Sequence, residues 1–278
     1  MANRVAKTLA KFPGTLVLVG AGRMGSAMLE GWLARGLKAR QVVVIEPQPG
    51  KVLRSLARRG LRLNPKIKAT VAAAVVIAVK PQNASEALQS LSGYIDKSTF
   101  VLSIMAGRTI GFLENSLPLR TAIVRAMPNT PAAIGRGISV AVANANISGQ
   151  HRNQASSLLA AIGEVEWVRD ERLMDAVTAV SGSGPAYVFL LAEAMASGGI
   201  ASGLPPALAT RLARETVAGA GELMHRSDVD AATLRQNVTS PGGTTAAALE
   251  VLMGPEGLER LLTRAIEAAT RRSRDLAG

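Results

Sequence analysis

The 278-residue chain has no cysteine. That excludes disulfides, thiolate metal sites and cysteine nucleophiles, and it fits a reducing, cytoplasmic setting. Histidine is nearly absent too. His151 and His225 lie far apart in sequence, so no histidine-rich metal cluster is expected. Aromatic residues make up 3% of the chain, leaving few platforms for stacking bases. No nucleic-acid partner is therefore expected, despite a net charge of +12. No continuous apolar run reaches the roughly 18 residues of a membrane helix, so no membrane partner is expected. The basic opening MANRVAKTLAKFPG lacks the apolar core of a secretory signal and reads as a short disordered lead-in.

What the chain does have is a strong opening pattern at Leu16–Gly25, LVLVGAGRMG. Four apolar residues run into Gly20-Ala21-Gly22-Arg23-Met24-Gly25, and a helical pattern follows at Ser26–Ala34. Strand, glycine turn and helix open a dinucleotide-binding βαβ unit. Gly20 permits the tight turn, Gly22 clears the way for a pyrophosphate, and Gly25 lets helix and strand pack closely. The helix start offers free N–H groups to the phosphates. A second strand, Val42–Ile45, ends at Glu46, 21 residues beyond Gly25. An acidic side chain there accepts hydrogen bonds from ribose hydroxyls and repels a 2′-phosphate, which leans the cofactor to NADH over NADPH. Residues 51–68 carry Lys51, Arg54, Arg58, Arg59, Arg62, Lys66 and Lys68 with no acid. They read as a solvated face or as an attractor of an anionic ligand.

Leu53–Leu63 suits a helix, and Val75–Val79 is a buried-strand pattern ended by Lys80-Pro81-Gln82. Helix patterns at 84–91, 109–117 and 154–162 alternate with strand patterns at 100–104, 122–124, 138–142 and 165–168. Such alternation predicts an α/β, Rossmann-like, doubly wound and mostly parallel sheet over residues 1–170. From about Glu171 the strand patterns stop. Helices are expected at about 171–180, 185–201, 206–226, 230–237, 244–253 and 256–275, with Asp228 or Asp230 as a cap. Residues 171–278 thus read as an all-helical domain with enough apolar surface to pair with a second copy in a homodimer or larger ring.

No serine–histidine–carboxylate set is present, and hydride transfer needs none, because the cofactor carries the reactive hydride. Four places can meet a nicotinamide or its substrate: Val79-Lys80-Pro81, Met105-Ala106-Gly107, Met127–Pro131, and the pair SGSGPAY (181–187) with SPGGTT (240–245). The last two start helices and present unpaired N–H groups to an anion. SPGGTT adds two hydroxyls, which suits a small carboxylate beside a nitrogen.

GAGRMG, AVKPQ, RAMPNTPA, SGSGPAYVF and SPGGTT, in this order, resemble the pyrroline-5-carboxylate reductase family from about Leu16 to near the C-terminus. The resemblance implies a Rossmann domain, a helical dimerisation domain, and reduction of the anionic cyclic imine Δ1-pyrroline-5-carboxylate to L-proline by NADH or NADPH, the last step of proline synthesis. It implies that Gly20 to Gly25 hold the pyrophosphate and that Ala78, Val79, Lys80 and Ala106 line the nicotinamide side. It implies further that Gly243, Thr244 and Thr245 bind the substrate carboxylate, with Thr245 orienting the ring nitrogen. Asn237 and Asp228 fall where relatives contact the product. SGSGPAY and SPGGTT are expected from different chains of the dimer. At the Glu46 position some relatives carry a small hydroxyl residue suited to a 2′-phosphate, so Glu46 departs from an NADPH pattern. A two-domain hydroxyacid dehydrogenase would need a lysine in its helical half, and residues 171–278 contain none.

Overall fold

The structure, a computed structural model, describes residues 8–66, 70–91 and 93–277. The described chain forms two compact units. One runs to Gly182 and takes in the segment from Thr270 onward, and the other is Ser183–Ala269. The division therefore falls twelve residues later than the expected 170/171 break, and the end of the chain returns to the first unit.

The first unit is built on eight strands: β1 (Thr15–Val19), β2 (Val42–Ile45), β3 (Arg62–Leu63), β4 (Ala72–Ile77), β5 (Phe100–Ser103), β6 (Ala122–Met127), β7 (Gly137–Ala143) and β8 (Gly163–Trp167). Their order across the sheet is β3-β2-β1-β4-β5-β6-β7-β8. Every neighbouring pair is parallel except β6–β7. The order reverses between β1 and β4, the switch point at which doubly wound sheets open a crevice for ligands. Alternate side chains of each strand enter two different cores. Leu16 and Leu18 join Trp32, Phe100 and Leu158 on one face, and Val17 and Val19 join Val75, Ile77 and Leu113 on the other. Burial on both faces explains why these strands are runs of Val, Ile and Leu rather than alternating patterns.

Helices α1 (Arg23–Ala34), α2 (Lys51–Arg58), α3 (Ala84–Gln89), α4 (Ile110–Ser116) and α5 (Gly149–Leu159) cover the sheet. Helix α1 buries Met28, Leu29 and Trp32. Each such side chain contributes roughly 1.5–3 kcal/mol by leaving water. The Trp32 indole N–H donates to the Leu158 carbonyl 2.9 Å away, which anchors α1 to α5.

Some local expectations are corrected. The helix expected over Leu53–Leu63 ends at Arg58, because Gly60 turns the chain with φ +100° and Leu61–Leu63 moves on into β3. The central strand begins at Ala72 rather than Val75, and its alanines Ala72 and Ala74 are buried with the rest of it. The lead-in is not loose where it is described. Leu9 and Phe12 are buried in the core, and Gln41 Nε2 donates to the Phe12 carbonyl at 2.9 Å. Residues 1–7 and Lys68 of the basic stretch lie outside the described residues.

After β8, a turn at Glu171–Leu173 leads through α6 (Met174–Val177) and a π-helical turn, Thr178–Gly182, into α7 (Gly184–Ala201). Together they make a 31-residue helical run long and apolar enough, by length and composition, to cross a membrane. Interspersed Ser, Gly and Thr hid this from a search for unbroken apolar runs. The second unit continues with α8 (Pro206–Arg226), α9 (Ala231–Asn237), α10 (Thr244–Leu252) and α11 (Leu258–Ala277), whose last turns belong to the first unit. Asp230, not Asp228, caps α9 by accepting the Thr233 N–H at 3.0 Å, and this bond holds its carboxyl below the usual carboxylate range. Helix α7 has no buried residue. Phe189 and Leu190 are each 63% exposed, and Val251 of α10 is 76% exposed. An apolar surface of this extent marks an interface.

Candidate active site

The glycine turn is shaped by what its neighbours leave no room for. A Cβ on Gly20, which has φ +85°, would lie 2.7 Å from Val79 Cγ1 and 2.8 Å from the Ala78 carbonyl oxygen. A Cβ on Gly25 would collide with the Gly20 carbonyl oxygen. Gly22 faces open space with nothing within 4 Å, and it serves as the N-cap of α1 without a side-chain cap. The N–H groups of the first turn of α1 therefore point out beside an exposed Gly22 and Arg23. This is a cradle in which the backbone can approach a pyrophosphate and no side chain intervenes.

A cleft of about 450 Å³ opens beside this turn, within the size range of ligand pockets. Gly20, Gly22, Glu46, Ala78, Val79 and Lys80 line it. The structure thus gathers the expected residues of three strand ends. Ala21 joins them through its N–H, which donates to Glu46 Oε2 at 2.8 Å. Met24 and Gly25 lie in the first turn of α1. Ala106 is exposed in the loop after β5.

Glu46 is fixed from several sides. Its Oε1 accepts the Gln48 N–H at 3.0 Å. Asn64, at the end of β3, clasps its backbone: the Glu46 N–H donates to Asn64 Oδ1 and Asn64 Nδ2 donates to the Glu46 carbonyl, both at 2.8 Å. Asn64 has φ +45°, a conformation that asparagine tolerates better than most residues. A carboxylate offers about four acceptor positions, so two N–H donors leave capacity for ribose hydroxyls. Sequence reading missed Asn64, because its distance from Glu46 in the chain hides a contact made only by strand pairing. The basic helix α2 turns Lys51, Arg54 and Arg58 to solvent, and Arg59 at its C-cap is exposed too. Arg62 is instead drawn to the sheet, its Nη2 donating to Thr15 Oγ1 at 2.9 Å.

RAMPNTPA is a rigid turn. Asn129 Oδ1 accepts the Ile138 N–H at 2.9 Å, and Gly135 closes a 3₁₀ turn with φ +69°. That turn reverses the chain between β6 and antiparallel β7. Its Arg125 is buried and ion-paired with Glu171 at 2.7 Å, a partnership that no local pattern announces. Removing one partner of a fully buried pair costs about 3–5 kcal/mol, and the exposure of Glu171, 29% of its side chain, puts this pair at or below the lower end.

In the second unit, Asp228 is exposed before α9, and Asn237 ends that helix. Gly242, at φ +68°, turns the chain so that Gly243 becomes the N-cap of α10 with no side-chain cap. Gly243 donates back to the Ser240 carbonyl at 3.0 Å. The first-turn N–H groups, from Thr244 onward, have no acceptor within the helix, and Thr244 and Thr245 are its first two residues. Among the described residues, no group of three His, Cys, Asp or Glu is placed to hold a metal.

Comparison with known proteins matches both halves. Residues 15–107 match the family model described as NADP oxidoreductase, coenzyme F420-dependent, and residues 171–276 the one described as pyrroline-5-carboxylate reductase dimerisation. A pyrroline-5-carboxylate reductase from Pseudomonas aeruginosa is 40% identical over 94% of this chain and 96% of its own. One from Synechocystis is 39% identical over 94% and 97%. Among solved structures, a pyrroline-5-carboxylate reductase from Coxiella burnetii superposes with a TM-score of 0.87 at 32% identity, covering 95% of this chain and 99% of that one. A Plasmodium falciparum pyrroline carboxylate reductase with NADP bound gives 0.79 at 29%, covering 96% and 99%. With the glycine cradle, its acidic partner and the uncapped start of α10 carried on one chain, and with relatives of this identity matching it almost end to end, the chain belongs to the pyrroline-5-carboxylate reductase family.

Proposed function

We propose that the protein is an NAD(P)H-dependent reductase that converts Δ1-pyrroline-5-carboxylate to L-proline, the closing step of proline synthesis. Identity of 40% over 94% of the chain carries this reading. The first unit acts as the dinucleotide-binding domain and the helical unit as the dimerisation and substrate-binding domain. The nicotinamide, when bound, supplies a hydride from C4 to the imine carbon. The chain's own residues hold and orient. The turn Gly20–Gly25 takes the pyrophosphate: Gly22, Arg23, Met24 and Gly25 offer backbone N–H groups, while Gly20 and Ala21, whose N–H groups go to the Ile45 carbonyl and to Glu46, shape the turn. Glu46 accepts from the adenosine ribose, and a 2′-phosphate there would meet its charge, so the preferred cofactor is NADH. Ala78, Val79, Lys80 and Ala106 form the nicotinamide side. Gly243, Thr244 and Thr245 bind the carboxylate at the start of α10, and the Thr245 hydroxyl fixes the ring nitrogen. Asn237 and Asp228 complete the substrate contacts. The proton comes from solvent or substrate, since no acidic side chain is required.

Exposed α7 and α10 side chains support assembly as a homodimer, and dimers could build a larger ring. The apolar run through α7 then faces a second copy rather than lipid. A cysteine-free chain suits the cytoplasm. Oxidation of NADH and NADPH, followed by nicotinamide absorbance with Δ1-pyrroline-5-carboxylate, tests the reading. Turnover with a bias toward NADH is expected. Folded protein that turns over neither cofactor would refute the substrate.

A further inference from the structure

The loop that follows β5 has only local ties of its own: the Met105 N–H donates to Ser103 Oγ at 3.3 Å, and Thr109 Oγ1 accepts the Phe112 N–H at 3.1 Å. Met105 is buried, but Ala106 is exposed and Gly107 has no side chain. Yet the loop is tied on three sides. Arg108 Nη2 donates to the Pro81 carbonyl at 3.2 Å, joining it to the loop after β4, and its guanidinium lies 4.7 Å from the centre of the Phe112 ring. Gly107, at φ +70°, sits where a Cβ would be 3.1 Å from the Leu276 carbonyl oxygen near the end of α11. That end is itself pinned by Ser273 Oγ, which donates to Asp175 Oδ1 at 2.7 Å. The third tie is ionic. Glu171 Oε1 accepts the Ile110 N–H at 2.8 Å and Arg125 Nη1 at 2.7 Å. Ile110 is the first residue of α4, so its N–H has no partner within the helix. Arg125 comes from the interior of β6, with its side chain 6% exposed. A single carboxylate oxygen thus links β6, the start of α4 and the start of the long helical run.

We propose that Glu171 is a positioning residue for cofactor binding: through the Ile110 N–H it fixes the loop Met105–Thr109 as one wall of the nicotinamide site. The inference rests on the cofactor reading above, with Ala106 on the nicotinamide side. Glu171 touches no reacting atom. It acts on where the wall stands, and Arg125 sets where Glu171 stands.

Calorimetric titration of NADH and of ADP-ribose, which lacks the nicotinamide, tests this well below the unfolding temperature of each protein. Glu171→Ala should weaken NADH about tenfold, the scale of one lost charged hydrogen bond, and leave ADP-ribose within twofold. Glu171→Gln keeps an oxygen that can accept both N–H groups, and it should restore NADH binding to within about threefold of the wild type. If Glu171→Ala does not fold, Gly107→Ala moves the same wall from the Leu276 side and should show the same split. Unchanged NADH affinity, or equal weakening of NADH and ADP-ribose, would overturn the positioning role. Wild-type protein that binds ADP-ribose but gains nothing from the nicotinamide would instead overturn the placement of the wall, and wild-type protein that binds neither would overturn the cofactor reading.

Discussion

Replacing Glu46 with serine tests the carboxylate at the ribose end of the cleft. In the wild type the carboxylate accepts the Ala21 and Gln48 N–H groups at 2.8 and 3.0 Å. A 2′-phosphate bound beside it would set like charges together, for which roughly 4 Å serves as the working separation. Two unit charges at that distance repel by about 1 kcal/mol in water and about 4 kcal/mol at the dielectric of a protein surface. Glu46 is half-buried in an open cleft, so about 2 kcal/mol is the working figure, or roughly 30-fold in affinity. Glu46→Ser removes that penalty for NADPH. It also removes the acceptor for the ribose hydroxyls of NADH, at a cost of about 1.5 kcal/mol or roughly tenfold. The ratio of kcat/KM for NADPH over NADH should therefore rise about 300-fold, the product of the two effects. The Ala21 and Gln48 N–H groups lose their acceptor, so Tm should fall by a few degrees, about 2–4 °C per kcal/mol for a unit of this size. Initial rates with both cofactors at saturating imine give the ratio. A ratio within threefold of the wild type would refute the role of Glu46, whatever happened to Tm. Asn64→Ala should move the ratio in the same direction but less, because it loosens the Glu46 backbone and leaves the charge.

Thr245→Ala should lower kcat about 10- to 100-fold with Tm unchanged, and Thr245→Ser should recover most of it; equal turnover in all three proteins would remove Thr245 from the site. Gly25→Ala forces a methyl against the Gly20 carbonyl oxygen, so NADH binding measured by calorimetry should be lost, together with about 1–3 kcal/mol of stability in denaturant titration. Phe189→Asp on α7 should turn the light-scattering mass of the assembly into that of a single chain, while an unchanged mass would place the interface elsewhere.

The first unit was readable because its strands are long, β-branched and bounded by glycine or proline. Leu16–Val19 and the glycines after it obey a spacing that the cleft requires, and Glu46 follows from that spacing. The helix ends of the second half were close to those found, since Pro206, Gly203 and Gly243 mark them plainly. Short and alanine-rich elements were not readable. Arg62–Leu63 becomes a strand only because β2 lies beside it, and Ala72–Ala74 has a composition that suits a helix as well. The contacts that hold the site in place were least visible of all. Arg125 and Glu171 are 46 residues apart, Glu46 and Asn64 are 18 apart, and Ser273 and Asp175 are 98 apart. Each pair exists because the sheet or the returning helix brings its members together, and no local pattern records such a meeting.

The return of the chain to the first unit after Ala269 has a consequence for how the protein is made. A ribosome releases the strands of the sheet early, but the segment that donates to Asp175 and lies against Gly107 emerges roughly 90 residues after Gly182. At about 5–20 residues per second, the nucleotide-binding half waits several seconds for its last piece. A fragment cut at Gly182 would keep every described strand and still lack it. Studies of the isolated nucleotide-binding half therefore need Thr270–Ala277 supplied in trans, or joined to Gly182 through a linker, for Asp175 to have its native partner.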